Sequence, residues 1–325
     1  MRRANSVATI GATAASLVIL NVIPSLAQTP GRVYRLGHLG NAAVSETYSR
    51  QQILPELTKL GFIEGRNLVF VGRIGEPDAL RGLMHEILSA QPDAVIAIGP
   101  TAVVAAGAAT STVPIVALMP DPIELGLAKS FARPGGNVTG VALLARELEI
   151  KRLSILHEAV PDRRRIAVLV PSAGKMFSET EMRTAATSLG VELLTFNAAA
   201  PADYPAAFTA MREAGAQALL ISATPLFQRD AQQLAALALE AKLPTVCEWA
   251  DMAQSGCLIG YGPNRPEMRR RMAHQIAAIL RGDAPGNIPI EQSMTFEFAI
   301  NLKTAKSIGV ELPTAVLTIA NQVIE

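Results

Sequence analysis

The chain has 325 residues, of which 50% are hydrophobic, 18% charged and 4% aromatic. That apolar fraction excludes a disordered chain, and a formal net charge of +1 advertises neither nucleic acid nor anionic lipid. Two cysteines, Cys247 and Cys257, are too few for a disulfide scaffold or a four-cysteine zinc site.

The first residues read as an address. Met1-Arg2-Arg3 gives a positive start, residues 7–23 an apolar run, and Pro24-Ser25-Leu26-Ala27 places small residues before Gln28. This is the pattern of a secretory signal peptide, with cleavage expected after Ala27. A membrane anchor is disfavoured, because the run is marginal in length and no positive flank follows it. Gln28, rather than a cysteine, follows the expected cleavage point, so no lipid tether is expected there. Export of this kind points to a periplasm.

Strand-like apolar runs follow at 33–39, 67–71, 94–98 and 114–118, separated by helical stretches at 45–60, 77–90 and 101–110. Strands that are apolar throughout, each followed by a helix, imply a parallel sheet covered on both faces. In the second helical stretch Leu80, Leu83, Met84, Ile87 and Leu88 recur at helical spacing and form a stripe to be buried. After Pro134-Gly135-Gly136-Asn137 the rhythm restarts with an extended run at 138–144 and a helix at 147–159. Strands at 165–170, 191–196, 218–222 and 244–247 then alternate with helices at 177–189, 204–214 and 225–241. A last section, with a strand at 257–261, a helix at 265–280 and a strand at 295–300, is too small for a third domain. It reads as chain passing back between two lobes.

The expected class is α/β: two doubly wound parallel-sheet lobes, whose strand ends line a ligand cleft if the two sheets face one another. Residues 31–138 with about 263–285 are assigned to one lobe. Residues 139–262 with about 286–325 are assigned to the other, and 1–27 to the cleaved leader.

Several segments resemble a known family in an ordered series. LGFIEGRNL at 60–68, ATSTVPIV at 109–116 and DPIELGL at 121–127 are similar to its motifs, and ARPGGNVTG at 132–140 is the most telling. YGPN at 261–264 and FEFAINLKTAK at 296–306 complete the set. Together they resemble the ABC-transporter substrate-binding family related to the tryptophan-binding TrpX proteins. The resemblance implies the type I periplasmic-binding-protein fold, two α/β lobes joined by several crossovers with the ligand cleft between them, and an amino-acid-like or aromatic ligand. It also implies delivery of that ligand to an ABC permease served by a separate ATPase. The chain departs from the family at Ser255-Gly256-Cys257, where relatives often carry a Gly-Gly pair, and looks individual at 37–41 and 247–249. Ligand identity would be set in those places, so it does not transfer with the fold.

Strand ends supply the candidate ligand contacts. In the first lobe these are His38, Leu39 and Gly40, then Gly99, Pro100 and Thr101, then Asp121 with Pro122. His38 either donates to a ligand carboxylate or is a structural histidine. Thr101 and the N–H groups beside it hold an anion, cap a helix, or do both. Asp121 pairs with a ligand ammonium or starts a turn ahead of Pro122. In the second lobe Ser172 and Thr224 offer hydroxyls, and Glu248 and Trp249 end another strand. Trp249, the chain's single indole, either stacks on a planar ligand or packs between helix and loop. Gly140, Gly260 and Gly262 are hinge candidates, with ordinary turn or sheet glycines as the alternative.

Cys247 and Cys257 either pair or stand as two buried thiols, and the thiols are the preferred reading. The charge runs Arg163-Arg164-Arg165 and Arg269-Arg270-Arg271 read as solvated surface. His38, His85, His157 and His274 are dispersed, and no phosphate loop, zinc motif or nucleophile elbow occurs. No metal, cofactor or catalytic group is therefore expected. The sequence leads to a monomeric periplasmic solute-binding protein that docks on a membrane protein. A sensor presenting ligand to a receptor, or a secreted α/β enzyme, are the alternatives.

Overall fold

The computed structural model describes residues 31–325 except 42, 144 and 173–177. The expected leader, residues 1–27, lies outside the described residues. The strands of the first half are β1 (Tyr34–Gly40), β2 (Leu68–Ile74), β3 (Ala94–Ile98), β4 (Ile115–Met119) and β5 (Val138–Ala142). They are followed by β6 (Arg165–Pro171), β7 (Glu192–Ala198), β8 (Ala218–Ile221), β9 (Thr245–Cys247) and β10 (Ile259–Pro263). The last three are β11 (Glu291–Gln292), β12 (Phe296–Asn301) and β13 (Gln322–Ile324).

Between the strands run α1 (Ala43–Tyr48), α2 (Leu54–Lys59), α3 (Leu80–Ser89), α4 (Pro100–Ala109), α5 (Ala145–Ala159), α6 (Glu179–Leu189) and α7 (Tyr204–Glu213). Then come α8 (Pro225–Arg229), α9 (Ala231–Glu240), α10 (Ala250–Gln254), α11 (Arg265–Leu280), α12 (Leu302–Ile308) and α13 (Thr314–Thr318). Among the described residues no helix is long and apolar enough to cross a membrane.

Two sheets form the frame. The first has the order β11-β5-β4-β3-β1-β2, parallel throughout. The second has the order β13-β12-β10-β9-β8-β6-β7, in which only β10 and β12 pair antiparallel. β3 and β4 are buried at every residue, because α3 and α4 pack over the first sheet while α11 runs along β3, β4 and β5. Such two-sided burial is what an apolar run without alternation encodes.

The chain crosses between the sheets three times: after β5, after β10 through α11, and between β11 and β12. The extended run expected to open the second array is therefore the fifth strand of the first. β5 pairs with β4 from Ile115↔Val138 to Met119↔Ala142, so residues 139–142 belong with the first lobe, as do 291–292 in β11.

Two expected helices are broken. The stretch 45–60 divides into α1 and α2 around a π-helical turn at Ser49–Ile53. Pro55 in the first turn of α2 has no N–H for the turn before it, and the wider turn accommodates that gap. The stretch 225–241 divides at Asp230, whose carboxylate accepts hydrogen bonds from Tyr204 Oη at 2.7 Å and Arg229 Nε at 2.8 Å.

Cys247 and Cys257 form a disulfide, correcting the preferred reading of two thiols. Cys247 ends β9 and Cys257 leads into β10, which lies beside it, so the Cα atoms come within 6.6 Å, inside the span a disulfide bridges. The hinge candidates lie inside strands where backbone packing demands glycine. A Cβ on Gly140 (φ +142°) would collide with Ala117 O, on Gly260 with Trp249 O, and on Gly262 with Glu248 O.

Candidate ligand site

A cleft opens where the carboxyl ends of the two sheets face each other. Its cavity volume is about 70 Å³, so the two walls stand close together.

The first lobe contributes Asn41 after β1, Ser45 and Tyr48 on α1, and Ile98-Gly99-Pro100 where β3 enters α4. It adds the apolar end of β4, Leu118 and Met119, with Pro120. Gly99 takes φ +97°, a conformation that favours glycine, and this turns the chain so that Pro100 can open α4. The second lobe contributes Ala223-Thr224-Pro225 after β8, Gln228 on α8, and Glu248-Trp249 after β9. Thr224 Oγ1 caps α8 by accepting from Leu226 N at 3.4 Å. Arg265 and Arg269 reach in from α11.

Tyr48 is a point where the lobes meet. Its hydroxyl accepts from Gln228 Nε2 and Arg265 Nη1, both at 3.1 Å. The Arg265 guanidinium carbon lies 5.0 Å from the Tyr48 ring centre and 4.9 Å from that of Trp249. Cation and aromatic faces attract at such distances. Asp251 completes the clasp with an ion pair to Arg265.

The charges are unequally matched. Burial works against the Arg265 cation, but Asp251 and Tyr48 outweigh it and its pKa rises. Arg152, fully buried, donates to Tyr261 O at 2.8 Å and Glu248 O at 3.3 Å and stands 3.7 Å from the Glu149 carboxylate. Arg269 is only 3% exposed. It donates to Gln52 Oε1 at 3.5 Å and lies 4.6 Å over the Tyr48 ring, yet its Nε has no partner. Burial and the neighbouring Arg265 push its pKa down to about 10. It still carries its charge at neutral pH, without a carboxylate within 4.0 Å among the described residues.

Glu248 is the acid of the cleft wall. Burial pushes its carboxyl up to about 7, Glu149 adds to the push, and Arg152 and Arg265 oppose it. Glu149, behind it, is also raised by burial, against the pull of Arg152 and of the Ala223 N–H that its Oε1 accepts at 2.7 Å. The Trp249 N–H favours the charged Glu248 carboxylate but meets hydrogen-bond geometry with no partner.

Of the residues singled out in the sequence, Gly99, Pro100, Thr224, Glu248 and Trp249 come together in this cleft. Thr101 is exposed beside it, its hydroxyl accepting from Asn41 Nδ2 at 3.2 Å. His38 is fully buried inside β1, with its ring nitrogens 3.2 Å from Ser45 Oγ and Ser49 Oγ. Burial, Arg269 and Arg50 push its pKa down to about 3, so it is a neutral structural histidine. Leu39 lies in the core of the first lobe, and a side chain on Gly40 would strike Ser45.

Asp121 serves as a turn cap, its Oδ1 accepting from Ile123 N at 2.7 Å and Glu124 N at 3.2 Å, and the adjoining Pro122 is buried. Ser172 is exposed after β6, away from the lining, with its N–H bound to Ala198 O at 3.2 Å.

Tyr48, Gln228, Arg265 and Arg269 were not legible as site residues. The triple-arginine run at 269–271 is corrected: Arg270 is exposed, but Arg269 is buried and Arg271 pairs with Glu267 and Glu291. The available signal was the spacing of Arg265 and Arg269, one helical turn apart on the stripe that buries Met268 and Met272.

Two α/β lobes facing across such a cleft define the type I periplasmic-binding-protein fold. The family of ABC transporter substrate binding proteins matches residues 45–324, and the chain belongs to that family. A tyrosine-binding protein of Clostridioides difficile (strain R20291) is 22% identical over 275 residues, covering 81% of this chain and 77% of that one. Among solved structures, a conserved domain protein from Vibrio cholerae O1 biovar El Tor superposes with a TM-score of 0.82 at 23% identity. An ABC domain from Streptococcus pneumoniae in complex with L-Trp superposes with a TM-score of 0.81 at 21% identity. Each likeness covers 90% of this chain and 100% of the other.

Proposed function

We propose that this chain is the periplasmic solute-binding component of an ABC importer. It takes a small aromatic, amino-acid-like carboxylate into the interlobe cleft and delivers it unchanged to a permease driven by a separate ATPase. The observation that carries the reading is Arg269, a buried cation with an unpartnered Nε on an otherwise largely apolar cleft. A buried charge lacking a partner is costly, and a ligand carboxylate would supply that partner through charge-assisted hydrogen bonds.

The remaining chemistry fits the rest of such a ligand. Trp249, Tyr48, Ile98, Leu118 and Met119 offer apolar and aromatic surface for a flat body. Glu248 supplies a carboxylate for an ammonium, and the N-terminus of α4 at Gly99-Pro100 adds a favourable dipole for an anion. The named ligands of two relatives, tyrosine and tryptophan, share this chemistry. Ligand bridging both walls would select the closed arrangement, and the closed surface would dock on the permease. Residues 1–27 would direct export, and the mature chain would act as a monomer.

The test is a thermal-shift screen of amino acids, aromatic acids and unrelated metabolites, with mass spectrometry of the compound recovered afterwards. Aromatic amino acids should raise the melting temperature, by about 2.7 kcal/mol of linkage at a hundredfold excess over Kd, and be recovered unaltered. Chemical conversion of the bound compound, or stabilisation by sugars alone, would contradict the reading.

A further inference from the structure

The disulfide lies directly behind one wall of the cleft. Cys247 and Cys257, ten residues apart, are both fully buried. The segment they close carries Glu248 and Trp249 of the lining and Asp251, the partner of Arg265. Arg265, on the helix that packs along the first sheet, rests on the Trp249 ring across the cleft and donates to Tyr48 Oη beside it. The closed segment is therefore the second-lobe anchor of the contacts that cross the cleft.

The regular elements of this anchor are short. β9 has three residues and α10 five, and β9 meets β10 at two register positions, Val246↔Ile259 and Cys247↔Gly260, and β8 at two more. Elements this short are marginal by themselves. Side-chain ties help, with Leu258 N donating to Thr245 Oγ1 and Asn301 Nδ2 to Ala253 O, both at 2.8 Å. They fix the rear of the segment, whereas the covalent link joins the two points from which its cleft-facing part departs.

Resting on the reading of this cleft as the ligand site, we propose that the Cys247–Cys257 disulfide is a positioning device for ligand capture. It holds the Glu248–Trp249–Asp251 wall so that Trp249 and Asp251 meet Arg265 across the cleft and the ligand meets a preformed surface. Preorganisation of this kind raises affinity by reducing the ordering that binding requires.

Trp249 is the chain's single tryptophan, so indole emission reads this wall without any ligand. In a Cys247→Ala/Cys257→Ala variant, emission should shift to longer wavelength and acrylamide quenching should rise about twofold as the wall loosens. Far-UV circular dichroism should be retained, and affinity for L-tyrosine should fall by about tenfold. A link that serves only the fold would lower the melting temperature while leaving emission, quenching and affinity unchanged, and that result overturns the proposal. Should the variant fail to fold, the same optical readouts on the wild-type chain, reduced and alkylated in sub-denaturing urea, decide the matter with the same two outcomes. If L-tyrosine does not bind the wild type, the ligand assignment fails, and Trp249 emission and quenching still judge the disulfide.

Discussion

Glu248 shows how one side chain can look ordinary in sequence and be unusual in place. Its carboxyl titrates near 7 because burial outweighs two nearby guanidiniums. The unfolded chain releases this proton near the ordinary glutamate range while the folded chain retains it up to about 7. Between those values the folded state binds more protons, so its stability falls as pH rises through that window and the loss is complete above it. A Glu248→Gln variant should match the wild type below the window and melt higher than the empty wild type at pH 8. In the other direction, an ammonium favours the ionised carboxylate, so affinity for an aromatic amino acid should rise from pH 6 to pH 8. Calorimetric titrations across that range should show the rise in the wild type and a flat profile in Glu248→Gln. His38 makes the complementary point: a strand-end histidine invites a ligand, but its neighbours Ser45 and Ser49 come from a helical segment whose register no single residue reveals.

At the scale of elements, the strands of the first lobe were legible because runs such as 94–98 and 114–118 are apolar without alternation. The breaks in helices were not, because they depend on Pro55 and on the partners of Asp230. The short terminal elements α12, α13 and β13 were missed for a related reason. Their few apolar residues, Ala305, Ile308 and Val316, gain meaning only against the second-lobe core they cover. Gly260 tests how closely β10 supports the site. An added methyl would collide with Trp249 O, so Gly260→Ala should cost about 1–3 kcal/mol in denaturant unfolding and should shift Trp249 emission. A variant with unchanged stability and emission would show that β10 does not set the position of that wall.

For the whole molecule, the two sheets and three crossings among the described residues frame the cleft as a two-jawed architecture. Five site residues were readable because strand ends and helix starts carry the ligand-facing loops of parallel sheets. The arginines were hidden because α11 belongs to a crossing segment, whose inward face is defined only once both lobes are assembled. Tyr48 joins the jaws by accepting from Gln228 and Arg265. Tyr48→Phe keeps the ring and removes that acceptor. It should leave the fold intact, increase the radius of gyration of the empty protein in solution scattering, and weaken ligand binding by up to about tenfold. Unchanged dimensions and affinity would mean that closure does not depend on this contact.

The account turns on a buried guanidinium that waits for a carboxylate, and calorimetric titration of L-tyrosine into the wild type and Arg269→Met addresses it most directly. The wild type should take one molecule per chain. Arg269→Met should bind at least about tenfold more weakly, as expected for losing a charged hydrogen bond, while melting no lower than the wild type because an unpaired buried charge has been removed. Equal affinities in the two proteins would contradict the account.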